Sequence, residues 1–161
     1  MSEIQRDPVL NYRPGTESEA PLEPGEVVEQ VFLADHRRYW YDHAVLGGLG
    51  AVLVSAALVF MGKSSQIPVA IVAIGAGMAL RGLYFRSEAF ARRWQLTDRR
   101  LIGPQGRQVM LLQIQAVRRL MGDVQIVTTS DDKHLIRHLA DAVPVVAAIE
   151  AAKAKRAKVA K

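Results

Sequence analysis

The chain has 161 residues, 50% hydrophobic and 23% charged, and no cysteine. Disulfides and thiolate metal sites are therefore excluded, and about 75 residues beyond the main apolar block leave room for one small domain only. The net charge of +5 is uneven: residues 1–35 hold eight acids and two bases, net −6, and residues 36–161 hold nineteen bases and eight acids, net +11.

Residues 1–24 are rich in Pro, Glu and Ser. They hold too few apolar side chains to offset the entropy of ordering, so they are expected to form a disordered acidic arm. The polar start lacks the basic and apolar regions of a cleavable signal peptide. Opposite charge predicts a salt-sensitive contact between this arm and the basic remainder. Residues 25–43 are read as a juxtamembrane segment. Within it, Val27 to Leu33 suits a short strand or the start of a membrane-approaching stretch. Arg37, Arg38, Tyr39, Trp40 and Tyr41 then combine bases and amphipathic rings just before an apolar run, which suits the bilayer interface.

Residues 44–62 contain no charge. Nineteen residues at helical rise reach about 28 Å, close to the ~30 Å hydrocarbon thickness. A turn, Lys63-Ser64-Ser65-Gln66, leads into a second apolar stretch over residues 67–85. Two transmembrane helices in a hairpin are expected. Arg37 and Arg38 precede the first span, and Arg81, Arg86, Arg92 and Arg93 lie late in or after the second, whereas the turn holds only Lys63. The positive-inside rule then puts both termini in the cytoplasm. Arg81 is expected to snorkel to the headgroups. Gly47, Ala51 and Ser55 share one helix face, as do Gly75 and Ala79, and such faces let helices pack closely, against each other or in a homo-oligomer.

From residue 93 short β-like runs alternate with turns: Arg93 to Leu96, Arg99 to Ile102, Gln108 to Gln113, Ala116 to Met121, Val124 to Thr129 and His134 to Leu139. Ala142 to Lys155 reads as a helix with Asp141 as N-cap, Pro144 in its first turn, and Val145, Ile149 and Ala152 as its buried stripe. The pattern over residues 93–152 points to a small antiparallel β-barrel or sandwich closed by a helix. The basic tail, residues 153–161, offers Lys153, Lys155, Arg156, Lys158 and Lys161 to anionic lipid or simply to solvent and the helix dipole. Nucleic acid is not an expected partner, because no aromatic stacking surface accompanies the bases.

Leu22, Pro24, Gly25 and Glu26, then Trp94 with Leu96-Thr97-Asp98-Arg99-Arg100-Leu101-Ile102, then Gly122-Asp123-Val124 and Ile126, form an ordered set around two spans. This set resembles the bacterial pleckstrin-homology (PH-like) membrane proteins, with the T-D-R-R turn as its most specific part. The resemblance implies an α+β membrane protein: a two-helix transmembrane hairpin followed by a PH-like barrel of two sheets and a C-terminal helix. It implies a two-pass protein of the bacterial inner membrane whose cytoplasmic module binds or scaffolds at the membrane surface. The alternative is an accessory subunit or assembly factor of a larger membrane complex. The bilayer, anionic lipids, other membrane subunits or further copies of the chain are the expected partners.

No catalytic constellation accompanies this pattern, and no enzymatic activity, cofactor or metal is expected. His134 and His138 are four apart, but on a strand, without an intervening Glu or a third ligand. Asp131-Asp132 suits a solvated turn. Of Arg99 and Arg100, one is expected to pair with Asp98 or another acid and one to face solvent or headgroups.

Overall fold

The computed structural model describes residues 19–160. Residues 1–18 of the expected arm, and Lys161, lie outside that range. Two long apolar helices are joined to two small antiparallel sheets and a C-terminal helix.

Strand β1 (Val28–Leu33) comes first, followed by helix α1 (His36–Phe60), a single 3-10 turn at Ser64–Gln66, and helix α2 (Ile67–Ala91). Asp35 starts α1: its carboxylate accepts from the Arg38 N–H at 2.8 Å, while its own N–H donates to the His138 carbonyl at 2.7 Å. Pro68 sits in the first turn of α2, where its missing N–H costs nothing. Both helices are longer than the expected spans. Charged residues at 36–42 and 86–91 continue the helix because nothing there breaks it and Asp35 caps it further upstream.

The helices meet along a narrow seam. Gly47, Gly50, Ala51, Ser55 and Leu58 of α1 are half-buried against Ile67, Ala70, Ile74 and Met78 of α2. The seam recurs every three to four residues, as two packed helices require. The other faces carry exposed Val52, Leu53, Val69, Val72 and Leu80. The most apolar 18-residue windows of the two helices are 0% and 6% buried, and both helices are long and apolar enough to cross a membrane. A core helix of a soluble protein would bury that stripe.

The chain returns through a single residue, Arg92, into β2 (Arg93–Thr97), which pairs antiparallel with β1: Leu33 faces Arg93, Phe32 faces Trp94 and Val31 faces Gln95. The whole helical hairpin thus replaces the loop between two neighbouring strands. Within residues 25–43, 28–33 belong to the sheet and 36–43 to α1. β3 (Arg100–Ile102) and β4 (Gln108–Met110) complete a sheet of order β1-β2-β3-β4. The expected strand at Gln108 to Gln113 is interrupted after Met110 by a 3-10 turn.

A second sheet, β5-β6-β7, comprises Ile114–Leu120, Asp123–Thr128 and Lys133–Ile136. Its first connection is a two-residue turn with φ +51° at Met121 and +93° at Gly122, the geometry that matches the twist of a tight hairpin. Helix α3 (Ala142–Val159) closes the assembly. Asp141 caps it, accepting from the Val143 N–H at 2.8 Å; Val145, Ile149 and Ala152 are buried as the spacing predicts, and Ala142 is buried with them. These residues join Phe32, Trp94, Leu96, Leu101, Val109, Leu111, Ile114, Val124, Ile126, Ile136 and Leu139 in one core. α3 runs to Val159, so the described part of the basic tail is helical.

Candidate functional site

Where the hairpin joins the sheets there is a cleft of about 650 Å³. Tyr39, His43, Arg81, Phe85, Glu88 and Arg92 form its helical wall. Phe32, Leu33 and Trp94 line its floor, and Pro104, Arg107, Lys133, Arg137 and His138 form the wall opposite. These residues come from β1, both long helices, β2, the β3–β4 loop, β7 and the residues after it, so only the closed fold assembles the cleft.

The helical wall is set by one close approach. Tyr39 is buried and its hydroxyl donates to the Gly82 carbonyl at 2.7 Å. The Trp40 ring lies so close to Gly82 that a Cβ there would fall 2.5 Å from it. Only glycine allows this contact without moving the indole. Tyr39, one of the residues expected at the interface, thus ties the two helices together; Trp40 is half-covered and Tyr41 is exposed.

The domain is pinned to the same place. His138 Nδ1 lies 2.9 Å from an Asp42 carboxylate oxygen, and the Asp123 carboxylate accepts from the His138 N–H at 2.9 Å. Arg38 pairs with Asp42 at 2.9 Å and donates to the Met121 carbonyl, bridging α1 to the β5–β6 turn. Burial pushes the Asp123 carboxyl above its ordinary value.

The cleft is strongly basic. Five Arg and Lys side chains line it against one acid, Glu88. Glu88 is engaged with Arg92, and Lys133 lies 4.0 Å from Asp131. Arg81, Arg107 and Arg137 have no ion pair among the described residues; Arg81 stacks over Phe85 at 5.6 Å. Burial, then the charge of Arg107, holds the neighbouring His134 imidazole below its ordinary value. An open cleft with unpaired guanidiniums can accept the oxygens of an anion.

The T-D-R-R turn has a different role. Arg100 is buried and pairs with the fully buried Glu26 carboxylate at 2.8 Å. The Thr97 hydroxyl donates to the same carboxylate at 2.7 Å and accepts from the Arg100 N–H at 2.9 Å. Hydrogen bonding from Arg100 is the main cause that lowers the Glu26 pKa to about 2, against the opposing effect of burial. Arg99 pairs with Glu23 at 3.2 Å, and Asp98 accepts from the Val27 N–H at 3.0 Å. Both arginines are therefore held by acids, Arg100 in the interior and Arg99 at the surface, where it stays partly open to solvent. The Pro24-Gly25-Glu26 element and Thr97-Asp98-Arg99-Arg100 form one structural lock.

The described end of the acidic arm docks on the same sheet: Glu19 pairs with Arg93 at 2.9 Å and accepts from Gln95 at 2.5 Å. Arg93 is thus taken by an acid. Arg37 and Arg86 are exposed and carry no ion pair among the described residues. Gly47, Ala51 and Ser55 lie on the seam, whereas Gly75 and Ala79 are exposed beside it and line an open groove of about 330 Å³ with Gly47, Gly48 and Ala51. Lys155 pairs with Glu29 at 2.6 Å and Lys153 lies 4.0 Å from Glu150, while Lys158 is exposed; Lys161 is outside the described residues. His134 and His138 diverge, the first lying edge-on to Trp94 and the second on Asp42. Among the described residues no group of three His, Cys, Asp or Glu side chains is arranged to hold a metal. Local patterning marked neither Arg107 nor Arg137, which enter the cleft only through β-pairing.

No protein-family model, curated protein or solved structure matches the chain.

Proposed function

We propose that the chain is a two-pass protein of the bacterial inner membrane, with both termini cytoplasmic, and that its two sheets with α3 form a PH-like module acting without catalysis as a binding or scaffolding unit. The insertion of the hairpin between paired strands β1 and β2 carries this reading. Two residues precede α1 and one follows α2, so the module cannot swing away from the spans. Two small antiparallel sheets with a C-terminal helix support the PH-like reading, with β1 placed before the hairpin and the other strands after it. About 20 helical residues cross ~30 Å of hydrocarbon. Counted inward from Phe60 and from Ile67, they end near Tyr41 and Arg86, so on this reading the junction lies at headgroup depth.

A second reading, an accessory subunit or assembly factor, is favoured by the groove beside the seam. It is lined by Gly47, Gly48, Ala51, Gly75 and Ala79, and Gly48 and Gly75 have no side chain within 4 Å of a notional Cβ. Small residues left uncovered in this way admit another helix.

Mild-detergent purification of the tagged full chain, followed by native mass spectrometry, separates the two. A stoichiometric complex with other membrane proteins supports the accessory subunit; a monomer or homo-oligomer supports the self-contained module. Release of the chain from membranes by carbonate washing overturns both.

A further inference from the structure

We propose that the cleft at the helix–sheet junction binds a phosphate-bearing anion through Arg81, Arg107 and Arg137. The proposal deepens the membrane reading and rests on it for the depth of the cleft.

Three observations converge. Arg81 from the helical wall, and Arg107 and Arg137 from the opposite wall, border one space of about 650 Å³ and have no ion pair among the described residues. The volume lies within the ~300–1,000 Å³ range of small-ligand sites. The acid that borders the space, Glu88, is engaged with Arg92. Guanidinium forks match phosphate oxygens in pairs, so several arginines lining one cleft favour phosphate over a halide or a lone carboxylate. The second observation is the lining. Phe85 and Leu33 are exposed and give the cleft apolar surface beside its charges, over the buried Phe32 and Trp94. A bare inorganic ion would leave that surface unused, whereas the glycerol and first methylenes of a lipid would cover it.

The third observation is depth. The helical wall runs from Arg81 to Arg92, and the hydrocarbon boundary counted from Ile67 falls near Arg86. The cleft therefore straddles the level at which phosphodiesters lie. An anionic phospholipid headgroup and free phosphate share the recognised chemistry, and only the first is concentrated at that depth.

The test uses the full chain purified in dodecyl maltoside and stripped of lipid. Native mass spectrometry would follow titration with short-chain phosphatidylglycerol, short-chain phosphatidylcholine and inorganic phosphate in separate arms. The expected result is one phosphatidylglycerol per chain, bound in preference to phosphatidylcholine and weakened about tenfold in Arg107→Gln/Arg137→Gln. Both of these side chains are exposed, so the double variant leaves the core untouched. Arg81→Gln, from the other wall, should weaken binding in the same direction. Lys63→Gln/Lys158→Gln removes the same charge at remote exposed positions and should leave binding unchanged. Saturable inorganic phosphate binding, lost in the same variants, would support the site and assign it a soluble anion. Equal binding of phosphatidylcholine, or an equal loss in the control double variant, would overturn the proposal. Carbonate extraction of the same variants reports on the membrane reading separately: a chain that stays in the membrane but shows no anion preference defeats the cleft alone.

Discussion

The helical hairpin and the sheet module use similar apolar residues in opposite ways. Leu53 is 63% exposed on α1, whereas Leu101 is 0% exposed in β3. The hairpin leaves many of its large side chains outward, and the α1 side of its seam is mostly small: Gly47, Gly50, Ala51 and Ser55. The module does the reverse and then buries a charged pair, Glu26–Arg100, beside its core. On the membrane reading, the difference follows the solvent each region meets. A helix pair whose surroundings are apolar gains nothing from hiding leucine, and packs through glycine, alanine and shape. A sheet in water is held by apolar burial and by satisfied polar groups.

Removing one partner of the Glu26–Arg100 pair should sharpen this contrast most. Glu26→Ala leaves the buried Arg100 guanidinium with only the more distant, half-exposed Glu23 at 3.6 Å, at a cost of about 3–5 kcal/mol. Circular dichroism in detergent should then show loss of the β signal at lower temperature while the long-helix signal persists. Coincident melting of both signals would break the comparison and make the two regions one cooperative unit.

Acid should act on the same pair. The Glu26 pKa is depressed from 4.5 to about 2 in the fold, so its contribution is complete above pH 4.5 and is lost as pH falls toward 2. That stabilisation is on the order of 3 kcal/mol. Thermal melting between pH 5 and 2 should show a steep loss that Glu26→Gln, already destabilised, largely lacks.

Gly82→Ala probes the hairpin's own specificity. The added methyl would meet the Trp40 ring at 2.5 Å, an overpacking cost of about 1–3 kcal/mol. Trp40→Ala should rescue it in part, since the obstructing ring is then gone. Thermal melting of the single and double variants measures the rescue, and its absence would mean that the contact does not set the helix crossing.

The smallest effect is expected at the exposed face. Leu53→Ala should change stability in detergent by less than about 0.5 kcal/mol, against about 2–5 kcal/mol for Leu101→Ala. Equal losses in the two would place Leu53 in a contact with another copy or another subunit.

What could be read in advance divides along the same line. The spans, the Asp141 cap, the β6 strand and the buried stripe of α3 are written locally, in runs, caps and periods. The placement of β1 is not. Val27 to Leu33 looks the same whether it pairs or approaches a membrane, and its partner lies beyond residues 34–92. For the same reason Tyr39 resembled an interfacial ring, and its burial came to light only through Gly82 on the other helix. Arg99 and Arg100 are adjacent and chemically alike, yet Arg100 is buried while Arg99 stays partly exposed, because they sit on either side of the turn's end. The cleft was the least legible feature. Arg81, Arg107 and Arg137 share no period or motif, and only the registers of β1–β2 and β6–β7 bring them around one space.

The interruption of the β1–β2 pair also dictates an order of biosynthesis. β1 leaves the ribosome well before its partner, and the two cannot meet until both helices between them have folded back on each other. On the membrane reading, the module closes only after the hairpin is correctly inserted. Protease resistance of the sheets during translation would then serve as a readout of insertion. A chain arrested before Arg93 should keep β1 cleavable, and one extended past Ile102 should begin to protect it.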